Sequence, residues 1–101
     1  IMLVDLARND LSRVSEPDSV EVVSLMDVLR YSHIMHICST VPGRVLPGLS
    51  VMDVFTSAFP AGTLWGAPKP KAIELIGQME PADRGIYGGT VGYFDFSGNM
   101  D

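Results

Sequence analysis

"VEVVSLMDVLRYSHIMHICSTVPG", residues Val20 to Gly43, is the stretch on which the fold turns. It is rich in β-branched and apolar residues and carries no strong helix boundary, which predicts two strands, near 19–29 and 31–41. Ahead of it, Leu3, Leu6, Ala7, Leu11 and Val14 recur at helical spacing with Asp5, Arg8, Asn9 and Asp10 between them, so an amphipathic helix is predicted over residues 1–11. "SRVSEPDS" breaks that helix, and "PGRVLPG" after the strands is turn chemistry. "SVMDVFTSAF" then offers Ser50 as N-cap with Asp53 three residues on, a capping-box pattern, and Val51, Val54, Phe55, Ala58 and Phe59 line one face.

Further on, "PKAIELIGQME" sets Pro70 near the first helical position and Ile73, Ile76 and Met79 on one face. "TVGYFDF" alternates as a strand, with Val91, Tyr93 and Asp95 on one side and Gly92, Phe94 and Phe96 on the other. No helix sits between two strands as a parallel crossover requires. The order helix, strands, helix, helix, strand therefore predicts an α+β fold with mainly antiparallel pairing.

The chain has 101 residues, the size of one small domain. An already periodic apolar stretch at "IMLVDLARND", without a capping residue, leads us to expect the first helix to start before residue 1. The strand and turn of "TVGYFDFSGNMD" lead us to expect a returning strand beyond Asp101. On that basis residues 1–101 are expected to be an internal segment of a longer protein.

Hydrophobic residues make up 47% and charged residues 19% of the chain, a globular composition far from disorder. The net charge of -5, with 7 Lys and Arg scattered and no basic stripe, argues against a nucleic-acid partner. No apolar run has membrane-spanning length and nothing resembles a signal peptide, so no membrane partner is expected and a cytoplasmic location is. The lone Cys38 is expected to be a buried, inert thiol in a reducing compartment. An acidic protein that binds an anion needs a local positive device, such as a metal ion, a lysine or a helix N-terminus.

Three stretches could carry chemistry. Pro60 to Pro70 could cradle a phosphate, but Gly62, Gly66 and Lys69 miss the P-loop spacing, so a plain interhelical connection stays open beside a ligand-binding loop. Its glycines permit close backbone approach to a ligand, and Thr63 offers a hydroxyl beside them. In "YSHIMHICS", strand geometry sends His33 and His36 to opposite faces, which argues against one shared metal. His36 would share its face with Ile34 and Cys38 and point toward buried groups. In "VDLARND", Asp5 and Arg8 can pair at i,i+3, and a solvated ion pair is the simplest reading.

"MLVDLARNDLSRV", "RYSHIMHICSTV", "FPAGTLWGAPKPKAIELI" and "RGIYGGTVGYFDFSGNMD" together resemble, in order and spacing, the chorismate-utilising enzymes, most nearly their anthranilate-forming large subunits. The resemblance covers essentially the whole chain. It implies the chorismate-binding fold, two facing antiparallel β-sheets with helices packed outside and a cleft between. It also implies chorismate as substrate, Mg2+ as cofactor bound with the ring carboxylate, and a glutamine amidotransferase partner that supplies ammonia. The anthranilate-forming members aminate chorismate at C2, lose the 4-hydroxyl and eliminate pyruvate, and the resemblance implies the same here.

By matching motif position, the resemblance places His36 beside the ring for proton transfer, Thr63 on the ring carboxylate and Tyr87 on the enolpyruvyl carboxylate. His33 carries no such role and is read as structural. The metal-ligand glutamates and the arginine of the family's "IRT" motif would fall outside residues 1–101, so the chain alone is expected to be inactive. The aminodeoxychorismate-forming enzymes of folate synthesis are the alternative within the family, and a non-catalytic homologue is the alternative outside it. One departure stands out: Trp65 occupies a position where the family commonly has a small residue. An indole there must find space and an N–H partner.

Overall fold

The computed structural model describes residues 1–101, which divide into two compact units, Ile1–Gly48 and Leu49–Asp101. Helices accompany a two-stranded antiparallel sheet, so the α+β class holds.

In the first unit, α1 (Met2–Ser12) forms where the amphipathic spacing predicts it. Asp5 and Arg8 pair across one turn at 3.6 Å with both side chains largely exposed, which makes them a solvated pair of little energetic weight. Val14 is the one buried apolar side chain, beside buried Asp10 and Ser15. Residues after α1 run antiparallel to residues 40–46: Leu46 N–H donates to Val14 O at 2.9 Å, Glu16 N–H to Arg44 O at 2.7 Å and Val23 N–H to Thr40 O at 3.1 Å.

The strands are shorter than the composition suggests. β1 (Ser24–Arg30) pairs with β2 (Met35–Thr40), Leu29 opposite His36 and Asp27 opposite Cys38. Two local causes trim them. Pro42 has no N–H to return to the ladder, although its carbonyl accepts from Glu21 at 3.2 Å. A bulge lies between Ser24 and Asp27, where Met26 takes φ 57 and gives its N–H to Ser39 Oγ at 2.9 Å.

The hairpin closes where Tyr31 N–H meets Ile34 O at 2.9 Å. His33 therefore sits in the turn, its Nδ1 bonded to Ser32 Oγ at 2.7 Å, and the opposite-face argument does not apply to it. His36 does share a face with Cys38, but that face is open: His36 is exposed and Cys38 half-buried. The expectation that they point into buried surroundings is corrected accordingly, because two strands alone supply no second layer to cover either side. Ile37, on the opposite face, is 72% exposed.

In the second unit, α2 (Val51–Ala58) carries the full capping box. Asp53 N–H donates to Ser50 Oγ at 3.3 Å and Ser50 N–H to Asp53 Oδ2 at 2.7 Å. The Ser50 hydroxyl also donates to Asp53 Oδ2 at 2.6 Å, and this bond, with the one from the Ser50 N–H, holds the Asp53 carboxyl below its ordinary range. Phe55 stacks on Phe59 at 5.3 Å and meets the edge of Phe94 at 5.8 Å.

The connection that follows is not plain loop. Gly62–Trp65 forms the helical turn α3, ended by Gly66 at φ 93. α4 (Lys69–Met79) starts with Pro70 in its first turn, and Lys69 Nζ donates to the Ala58 carbonyl at the end of α2 at 2.9 Å.

"TVGYFDF" does not become a strand; residues 90–101 make one isolated bridge, Phe94 to Met100. The turn inside it is tight, because the Asp95 carboxylate accepts three bonds of 2.8 Å, from Ser97 N–H, Asn99 N–H and Asn99 Nδ2. The bonds from Asn99 are the main reason that the Asp95 carboxyl lies below its usual range.

Candidate functional site

His36 belongs to the first unit and Thr63 and Tyr87 to the second. In β2, His36 stands on the face that it shares with Asp27, Leu29 and Cys38, and the Tyr31 ring meets its imidazole edge-on at 6.2 Å. The imidazole is open to a ligand approaching that face.

Thr63 lies in α3, exposed. Tyr87 lies in the turn Arg84–Gly88, closed by Tyr87 N–H to Arg84 O at 3.0 Å, and the residue is 62% exposed. These two turns are fastened to each other by two hydrogen bonds running in opposite senses. Trp65 Nε1 donates to the Gly88 carbonyl at 3.2 Å, and Arg84 Nη1 donates to the Leu64 carbonyl at 2.8 Å. The indole thus has its N–H partner. It also has its space, because position 88 is a glycine at φ +72: a Cβ built there would lie 2.8 Å from Trp65 Nε1.

Arg84 is the centre of this clasp. Its side chain is only 17% exposed, its Cζ stands 4.6 Å from the Trp65 ring centre and 5.8 Å from that of Tyr87, and Nε and Nη2 make a bidentate pair with Glu80 at 2.9 and 2.6 Å. The hydrogen bond from Arg84 holds the Glu80 carboxyl below its usual range, and the carboxylate in turn raises the Arg84 guanidinium. The positive charge is therefore already matched by Glu80. What the two turns can offer a ligand is a pair of neutral hydroxyl donors, Thr63 and Tyr87, with backbone close by.

Sequence reasoning reached Thr63, Tyr87 and the demand made by Trp65, but not Glu80, Arg84 and Gly88. The i,i+4 spacing of Glu80 and Arg84 gave no usable helical signal, because α4 ends at Met79, Glu80 takes extended backbone and Pro81 follows it; the pair closes across a non-helical segment.

Two other hollows lie in the second unit. One of about 270 Å³ is lined by Phe55, Tyr93, Phe94 and Met100 among others, and one of about 150 Å³ by Trp65, Ile73, Glu80 and Arg84 among others; neither is lined by Thr63 or Tyr87. No three or more His, Cys, Asp or Glu side chains come together as a group that could hold a metal ion. These residues therefore do not form a Mg2+ site by themselves.

A family model described as chorismate binding enzyme matches residues 1–101. The chain is 58% identical over 101 residues to an anthranilate synthase component 1 of Arthrobacter globiformis, covering 100% of this chain and 19% of that protein. It is 54% identical over 101 residues to one of Streptomyces coelicolor, covering 100% of this chain and 20% of the relative. The crystal structure of anthranilate synthase component I from Streptococcus pneumoniae superposes with a TM-score of 0.90 at 46% identity, over 98% of this chain and 23% of that one. The chain thus spans about a fifth of the length of the curated relatives that it matches.

Proposed function

The chain belongs to the chorismate binding enzyme family, and from that membership we propose that the protein carrying it is the large subunit of an anthranilate synthase, acting in tryptophan biosynthesis. The observation that carries this reading is identity of 58% along the whole chain to a relative of that name. The reaction balances as chorismate plus ammonia giving anthranilate, pyruvate and water.

The side chains divide the work by chemistry. Thr63 Oγ and the Tyr87 phenol each donate a hydrogen bond to a carboxylate of chorismate, Thr63 to the ring carboxylate and Tyr87 to that of the enolpyruvyl group. Such bonds orient a dianion without adding a cation, consistent with an Arg84 whose charge is matched by Glu80. His36 moves a proton during pyruvate elimination, a task that imidazole suits near neutral pH. Its exposed position leaves room for a substrate.

Residues 1–101 act here as one partial chorismate-binding domain. Mg2+ and a glutamine amidotransferase that delivers ammonia are part of the reading for the whole protein. A cytoplasmic location is part of it too, supported by the free thiol of half-buried Cys38, which a reducing compartment preserves. No helix is long and apolar enough to cross a membrane.

Complementation tests the reading. The whole protein, expressed in a bacterium that lacks its anthranilate synthase large subunit, is expected to restore growth on ammonium medium without tryptophan. Expression without growth, while a known large subunit rescues the same strain, overturns it.

A further inference from the structure

The hydrogen bonds that join α3 to the Arg84–Gly88 turn fall at particular places. Leu64, whose carbonyl accepts from Arg84 Nη1 at 2.8 Å, follows Thr63 directly. Gly88, whose carbonyl accepts from Trp65 Nε1 at 3.2 Å, follows Tyr87 directly. Each tie thus anchors the backbone one residue beyond a proposed substrate contact. Between them lies the Arg84 guanidinium, 4.6 Å from the indole centre and 5.8 Å from the phenol ring centre, its other nitrogens held by Glu80.

Thr63 and Tyr87 are assigned to two carboxylates of one molecule, so binding is favoured when the distance between the turns is set before the substrate arrives. Short turns do not fix such a distance by themselves. Cross-ties beside each contact do, at the cost of ordering paid during folding and not during binding.

We propose that Trp65 and Arg84 are positioning residues for chorismate: they clasp the Thr63 turn to the Tyr87 turn and so set the spacing of the two hydroxyls that hold its carboxylates. The assignment rests on the proposed function, from which the roles of Thr63 and Tyr87 come. The Trp65 indole makes one of the two ties. Gly88 is its necessary partner, since a Cβ there would collide with the indole.

The test is steady-state kinetics with chorismate and ammonia on the whole protein, with Trp65→Phe, Tyr87→Phe and the double variant. Trp65→Phe keeps an aromatic face under Arg84 but gives up the N–H together with the second ring of the indole. Bonds made equally in ground and transition state appear in KM, so Trp65→Phe is expected to raise KM for chorismate about tenfold with kcat within about twofold. In the Tyr87→Phe background, where no phenol remains to be placed, the same change is expected to move KM less than about twofold.

A merely structural role for the indole lowers thermal stability but gives no such dependence on Tyr87. Equal KM increases in both backgrounds, or an unchanged KM for Trp65→Phe, overturn the clasp while leaving Tyr87 as a contact. An unchanged KM for Tyr87→Phe overturns the contact itself, and the clasp with it. Arg84→Lys, which keeps a cation beside Glu80 but gives up the guanidinium fork that reaches both Glu80 and Leu64, supplies the same comparison if Trp65→Phe does not fold.

Discussion

Gly88→Ala isolates the one close contact on which the second unit's clasp depends. Its backbone sits at φ +72, and a methyl group there would lie 2.8 Å from Trp65 Nε1 and 3.4 Å from Cε2. Two costs add. A non-glycine residue in the left-handed region loses about 1 kcal/mol. The indole must then withdraw, which breaks its bond to the Gly88 carbonyl and loses about another 1 kcal/mol.

Gly98→Ala is the control, because Gly98 shares the left-handed backbone at φ +88 but a Cβ there meets nothing within 4 Å. It should lose the backbone term alone. Amide hydrogen exchange reads both, at Tyr87 and Gly89 around the first site and at Asp95 and Asp101 around the second, whose N–H groups are all engaged in backbone bonds. Local opening is expected to become about thirtyfold more frequent in Gly88→Ala and about fivefold more frequent in Gly98→Ala, since each 1.4 kcal/mol is a factor of ten. Repeating Gly88→Ala with Trp65→Ala should shrink the first figure to the second. Equal effects at the two glycines, or no change on removing the indole, would refute the packing argument.

Ser50→Ala removes the reciprocal cap of α2 and should lower stability by about 1 kcal/mol, read as a lower urea midpoint; an unchanged midpoint would show that the cap is idle. Acidification should weaken the second unit through Glu80 and Asp95. Both carboxyls are held below their usual range, so the unfolded chain takes up protons first, and stability present above that range is lost as pH falls through the lowered folded values. Melting temperatures followed downward from neutral pH should show that slope, and Glu80→Gln should flatten it; an identical slope in the variant counts against the pair. His36→Ala in the whole protein should lower kcat for anthranilate formation much more than it raises KM for chorismate, and equal loss in both would contradict a proton-transfer role.

The features legible in the sequence are those whose causes are local. The Ser50–Asp53 box, Pro70 in the first turn of α4 and the amphipathic face of α1 each follow from residues within four positions of one another. What went unread depends on partners far along the chain. Trp65 posed a question that only Gly88, 23 positions away, could answer. Alternation in "TVGYFDF" has the period of a strand, but a strand needs a neighbour to ladder with, and here one bridge forms. Parity placed His36 and Cys38 on the same face correctly; it could not say that the face is open, since burial is a property of the layer opposite. α3 was hidden by Gly62 and Gly66, residues that usually mark loops but here begin and end a single helical turn.

Product identity tests the central claim most directly. The whole protein, given chorismate, ammonia and Mg2+, should consume chorismate and release fluorescent anthranilate and pyruvate in equal amounts, with the signal lost on omission of ammonia. Accumulation of the 4-amino product without pyruvate, or no consumption of chorismate by folded protein, would contradict it.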